Sequence, residues 1–428
     1  MYPNPQDVLP LPPRPDLHHY RKRAKDLAKA CRSGDAGAMR AWAEQWVRDL
    51  IALQPEHSRP RRADAERRAQ QVATFAGDRL GTDCSLNQAQ FVIARAHGFE
   101  SWPRLSHHLE ALSGASSAIS AFEEAADAIV TGDRATLERL LTGEPSLIRA
   151  RSDREHRATL LHYVSANGVE NYRQETPPNI VEIARLLLDA GGDVHAEADV
   201  YGGGATTLGL VVTSAHPRAA GVQNELADLL LDRGARFDAD MVRGCLMNGC
   251  PEAAAHMVQR GAALGLEEAA GIGRLDLVRE QLDGRMTATS QKDLASAALM
   301  ATWYDHDEIV AYLLDRGLDA GARGDEGQTT LHLAAYEGKQ SIVDLLLRSG
   351  APVNVVDDTY RTPPLVWALH AWLVEGRRRE DVYRRIVRML VDAGAMVQPE
   401  WIDDDRVRAD GELYAALSRA VTRGPEAP

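Results

Sequence analysis

The stretch GDEGQTTLHLAAYEGKQSIVDLLLRSGAPVNVVD, residues 324–357, decides the fold. Its second half, QSIVDLLLRSGAPV (340–353), carries Ile, Val and Leu at three- and four-residue steps and then stops at Gly350. That spacing gathers the apolar side chains on one face of an α-helix. The glycine suits the left-handed position just past a helix end.

The same phrase recurs along the chain. It reads VEIARLLLDAGGDV at 181–194, NELADLLLDRGARF at 224–237, AAAHMVQRGAAL at 253–264, DEIVAYLLDRGLDA at 307–320 and YRRIVRMLVDAGAMV at 383–397. The helix-ending glycines Gly317 and Gly350 lie 33 residues apart, a period that signals a repeat architecture. In the clearest copy Thr329, Thr330, Leu331, His332, Ala334, Ala335, Gly338, Ile342, Val343, Leu345, Leu346, Leu347, Gly350 and Ala351 fall in register. This pattern resembles the ankyrin repeat, with Thr330 where proline is usual. Weaker copies keep Thr159, Leu161, His162 and Gly168, or Thr206 and Leu208, while 122–141 and 266–282 read as short helix pairs turning at Gly132 and Gly273. The resemblance implies an all-α solenoid of about eight helix–turn–helix units, each burying its apolar face against its neighbours.

Larger spacings locate insertions. Text such as VENYRQETPP (169–178), SAHPRAAGVQ (214–223) and VEGRRREDVY (374–383) falls between the inner and outer helix of its unit. Outside the array, residues 1–112 read as an N-terminal helical domain with helices near 16–32 and 36–54, a capping box at Ser85 and Gln88, and a helix end at Gly98. This segment resembles the one that precedes ankyrin arrays in many bacterial proteins. Residues 113–120 read as a linker, 121–398 as the array, and 399–428 as a C-terminal cap with a helix at 411–421.

Composition bounds the function. The net charge of −13 is uneven: residues 1–112 carry 17 Lys+Arg against 13 Asp+Glu, leaving −17 on the rest. An acidic array disfavours nucleic acid and favours a basic or amphipathic protein partner. The opposite charges of the two parts also favour contact between them. No apolar run approaches the roughly 20 residues needed to span a bilayer. The four cysteines make no disulfide framework and no secretory signal is visible, so a cytoplasmic location is expected. Oligomeric state is not legible.

No catalytic or metal motif stands out, and no cofactor is implied. His162 and His332 hold the repeat's structural histidine position, which the resemblance assigns to binding turn backbone of adjacent repeats. Asp305-His306-Asp307-Glu308 suits a helix start better than a metal site. Cys245 and Cys250 lack the partner pair of a zinc site and read as buried thiols. Gly202-Gly203-Gly204 reads as a tight turn rather than a phosphate loop. In the ankyrin family partners are met by turn residues and by the ends of the inner helices. Carried over, this selects Trp303 and Tyr304, then Asp325, Glu326, Gln328, Tyr336 and Glu337, then Asp358, Thr359, Arg361 and His370. The expected function is a non-catalytic protein–protein interaction scaffold that binds its partner on the concave face of the array. The alternative is a small-molecule or enzymatic site in that groove, walled by the inserted loops and faced by Trp367, His370 and Trp372.

Overall fold

The computed structural model describes residues 4, 7–12, 15–52, 62–113, 117–283, 289–377 and 379–422. Part of the expected linker (114–116) and residue 378 of the last insert lie outside them. Contacts between residues divide the chain into two compact units, Met1–Ala253 and Ala254–Pro428. Both are helical; among the described residues the one strand pair joins Glu197–Ala198 to Ala205–Thr206. No described helix is long and apolar enough to cross a membrane.

The first unit begins with five helices: α1 (Leu17–Arg32), α2 (Ala36–Ala52), α3 (Arg62–Leu80), α4 (Leu86–Ala96) and α5 (Trp102–Ser113). They enclose their own core, in which Leu27, Trp46, Leu80, Ile93 and Leu105 are buried. The Ser85–Gln88 capping box forms as expected, and α4 is followed by Gly98 at φ +78°. His97 ties the N-terminal lead to this core. Its Nδ1 lies 2.9 Å from the Leu9 carbonyl, and its ring packs edge-on against Tyr20 and Trp46. Burial holds His97 neutral, with its pKa lowered to about 3.

One expectation fails here. Cys31 at the end of α1 is disulfide-bonded to Cys84 before α4. Their 53-residue separation has no motif to announce it; the packing of α1 against α4 brings the two Cα atoms to 5.6 Å. A cross-link of that span stabilises by roughly 4 kcal/mol in the chain-entropy picture. Cysteine usage therefore no longer argues for a reducing compartment. Cys245 and Cys250 are free and buried, as read.

The rest of the chain is built from helix pairs. In the first unit α6 (Ala118–Thr131) pairs with α7 (Arg134–Gly143), and a 3-10 segment Leu160–Ser165 pairs with α8 (Ile180–Asp189). Then α9 (Thr207–Val212) leads through α10 (Ala215–Ala219), inside the second insert, to α11 (Gln223–Asp232). After α12 (Met241–Met247) the unit boundary falls within α13 (Pro251–Gln259). The second unit continues with α14 (Leu266–Gly271) and α15 (Leu275–Leu282), then α16 (Gln291–Trp303) and α17 (Asp307–Asp315). It closes with α18 (Thr330–Glu337) and α19 (Gln340–Arg348), α20 (Pro364–Leu369) and α21 (Glu380–Asp392), and two last helices, α22 (Asp405–Ala409) and α23 (Gly411–Thr422).

Successive pairs are stitched by polar bonds that satisfy carbonyls left open at inner-helix ends. Asn179 donates to the Gly132 carbonyl at 2.9 Å, and Tyr383 donates to the Tyr336 carbonyl at 2.8 Å. His306 lies 3.1 Å from the Gly271 carbonyl, which places it in the stack rather than in a metal cluster. Only glycine fits the receiving turn: a Cβ on Gly273, at φ +74°, would meet the His306 ring at 2.6 Å. His332 behaves as the resemblance implies. Its Nδ1 accepts from the Thr329 N–H and its Nε2 reaches the Thr362 carbonyl, just before the next helix pair, at 3.1 Å. His162 likewise accepts from the Thr159 N–H. The glycines at 202–204 all take positive φ, as a tight turn requires. At the C-terminal end Asp410 caps α23 through the Leu413 N–H and takes Arg388 at 3.1 and 3.2 Å.

Candidate partner-binding face

The end of α16 presents Trp303, 43% exposed, stacked on Tyr304 with ring centroids 6.5 Å apart. An indole left this open on a helix end contributes little to the core and offers a rigid contact area. The turn before α18 is organised by its own polar atoms. Gln328 Oε1 accepts from the Glu326 N–H, and the Glu326 carbonyl accepts from the Asp358 N–H at 2.9 Å. Asp325 pairs with Lys292 at 2.6 Å and Asp358 with Arg323 at 2.8 Å, both open to solvent. Thr359 and Arg361 are exposed, Arg361 at φ +58°. Gln328 therefore shapes the turn, while Glu326, Thr359 and Arg361 point to solvent.

Tyr336, Glu337 and His370 are brought together; Tyr336 and Glu337 are half-buried, while His370 stays exposed. The last insert delivers Glu375 and Arg377 onto them. Tyr336 donates to Glu375 at 2.6 Å, Arg377 pairs with Glu337 at 2.9 Å, and His370 Nε2 lies 3.7 Å from Glu375. Trp367 packs edge-on against both Tyr336 and Tyr360, and its Nε1 donates toward Asp357 and Thr362. Tyr360, 71% exposed beside this cluster, escaped the sequence reading, although it sits in the same turn as Asp358 and Thr359. Trp372 is not groove-facing: it is 2% exposed and joins the core beside Leu365, Ala368 and Leu369. A cleft of about 610 Å³ lies between the end of α21 and α23, and none of the expected site residues lines it.

The sequence profile of ankyrin repeats in three copies matches residues 266–357 and 294–400. Residues 266–400 are ankyrin repeats. The chain is 34% identical over 119 residues to the ankyrin repeat domain-containing protein SAT10 of Stachybotrys chartarum. It is 33% identical over 95 residues to the ankyrin repeat and KH domain-containing protein mask-1 of Caenorhabditis elegans. It is 32% identical over 93 residues to the transient receptor potential cation channel subfamily A member 1 of Drosophila melanogaster. These matches cover 27%, 22% and 22% of this chain and only 6%, 4% and 7% of the relatives. They speak for the repeats alone.

The ankyrin pattern gave no sign of a second polar cluster, in the first unit. Arg154 and Arg173, 1% and 3% exposed, meet Glu123 and Glu170. Arg154 reaches Glu123 at 2.6 Å and Glu170 at 2.8 Å; Arg173 reaches Glu123 at 2.8 Å and Asp127 at 2.7 Å. Burial works to raise the Glu123 pKa, yet the two guanidiniums outweigh it and hold the carboxyl down at about 2. Glu170 is driven well below the usual carboxylate range by the same balance. Arg154 also lies over the Phe99 ring, Arg95 pairs with Glu155, and the Glu155 N–H donates to the Gly98 carbonyl. The cluster thereby fastens the N-terminal helices to the first repeat. With Glu170 fully enclosed it admits no substrate, and its chemistry is that of a structural lock. The first insert, expected as a groove wall, is instead folded inward as part of this lock.

Proposed function

We propose that the array, residues 121–398 between a helical domain (1–112) and a terminal cap (399–428), is a non-catalytic scaffold that docks a protein partner. The observation that carries this reading is the exposed Trp303, stacked on the half-buried Tyr304 at a helix end in an acidic array. Rigid aromatics ringed by charge are the usual anchors of an interface. The exposed acids of the following turns, Asp325, Glu326 and Asp358, favour a basic or amphipathic partner. Ankyrin repeats in general mediate protein–protein contact, which agrees with this assignment.

The test compares affinity capture by wild type and by a Trp303→Ala/Tyr304→Ala variant, both confirmed folded by circular dichroism. Loss of a hot-spot pair weakens binding by about 30-fold or more. A partner held by wild type and released by the folded variant supports the scaffold; equal capture by both removes it.

A further inference from the structure

Arg377 enters the face from the insert rather than from the repeat. Its guanidinium carbon lies 4.1 Å from the centre of the Tyr336 ring. One terminal nitrogen donates to Glu337 at 2.9 Å and to the Tyr336 carbonyl at 3.4 Å, while Nε donates to Glu375 at 3.0 Å. The site is thus an aromatic plate with a carboxylate and a carbonyl at its edge, all from the repeat. Planar stacking with divided donors is what a guanidinium supplies and an ammonium does not. The holding segment is tied by its backbone, with the Arg377 N–H on the Ala371 carbonyl, but its side chains are open to water. Val374 is 71% exposed, Gly376 takes φ +65°, and the side chains of Arg377, Glu337 and Glu375 are 31%, 22% and 34% exposed. Ion pairs this open to water are weak and readily exchanged.

We propose that Tyr336 and Glu337 form an arginine subsite, that Arg377 fills it in the free protein, and that an arginine of a docking partner displaces it. This rests on the reading of the face as a protein-binding surface. Arg377 acts as a tethered competitor, present at the millimolar effective concentration typical of a short linker. A partner must outbid it, so the insert raises the threshold for docking and selects for arginine at this position.

The test needs no partner. The peptide acetyl-Gly-Arg-Gly-amide is titrated into full-length wild type, Arg377→Ala and Arg377→Gln, with lysine and citrulline peptides as controls. The Trp367 indole N–H, on a ring 5.8 Å from that of Tyr336, reports binding by NMR. The Arg377 variants are expected to bind the arginine peptide about threefold tighter than wild type, to prefer it over both controls, and to lose it on adding Tyr336→Leu. Equal affinity in wild type and both variants, or binding indifferent to Tyr336→Leu, overturns the proposal. Failure here, with Trp303-dependent capture intact, removes the subsite alone; the reverse pattern removes the scaffold reading instead.

Discussion

Two of the three inserts that enter this chain between inner and outer helix bring the same kinds of side chain. The one at 169–178 contributes Glu170, Tyr172 and Arg173; the one at 374–383 contributes Glu375, Arg377 and Tyr383. In the first, Arg173 and Glu170 are enclosed, and Arg154 donates to the Tyr172 hydroxyl at 3.1 Å from within the same dry cluster. In the second, Arg377 and Glu375 keep about a third of their side-chain surface in water. Similar ingredients thus give opposite behaviour. Desolvation makes the first set indispensable to one another, since removing any member strands a buried charge. Water leaves the second set interchangeable with outside ligands.

The sharpest way to break this contrast is Arg154→Ala. It leaves Glu123 and Glu170 enclosed against a single guanidinium, and a loss of about 3–5 kcal/mol is expected. Urea unfolding followed by circular dichroism reads it directly; a loss below about 1 kcal/mol would show that the cluster is not the lock described. Acidification comes next. His97 and His162 are neutral in the fold, held at about 3 and about 4 chiefly by burial. Their folded pKa values lie below the unfolded value near 6.5, so the unfolded chain takes up the protons. Stability is then complete above that pH and falls as the pH drops toward 4. By pH 4.5 His97 alone accounts for a loss on the order of 2–3 kcal/mol. Trp46, packed on the His97 ring, should report an earlier urea midpoint at pH 4.5 than at pH 7, and coincident midpoints would contradict this. Glu123, held at about 2 in the fold, loses its contribution only as the unfolded chain protonates its carboxyl near 4.5, so above that pH the acid effect belongs mainly to the imidazoles. The smallest effect is expected at the open cluster. Arg377→Ala should change stability by less than about 1 kcal/mol, and a larger loss in the same urea assay would mean that the last insert is also a lock.

The sequence showed most where neighbours along the chain do the work. Thr329, His332, Gly338 and Gly350 each sit within one repeat, and their spacing alone placed α18, α19 and the turns around them. The expected face was legible as a set of positions but not as a set of states. Tyr336 and Glu337 were named, yet Arg377 lies about 40 residues away from them, and no local pattern pairs them. The buried lock is harder still. Glu123, Arg154 and Glu170 come from a helix, a turn and an insert, and read singly each resembles an ordinary surface charge. Trp372 was misread by grouping it with His370, since two residues of helix turn the pair to opposite sides and leave Trp372 with buried Leu365 and Leu369.

The bond between Cys31 and Cys84 has a topological consequence. It closes the chain between them into a covalent ring that carries all of α2 and α3. A protease that severs the backbone anywhere in that ring frees nothing. The cut protein runs as one band on a non-reducing gel and parts into two only when a thiol is added.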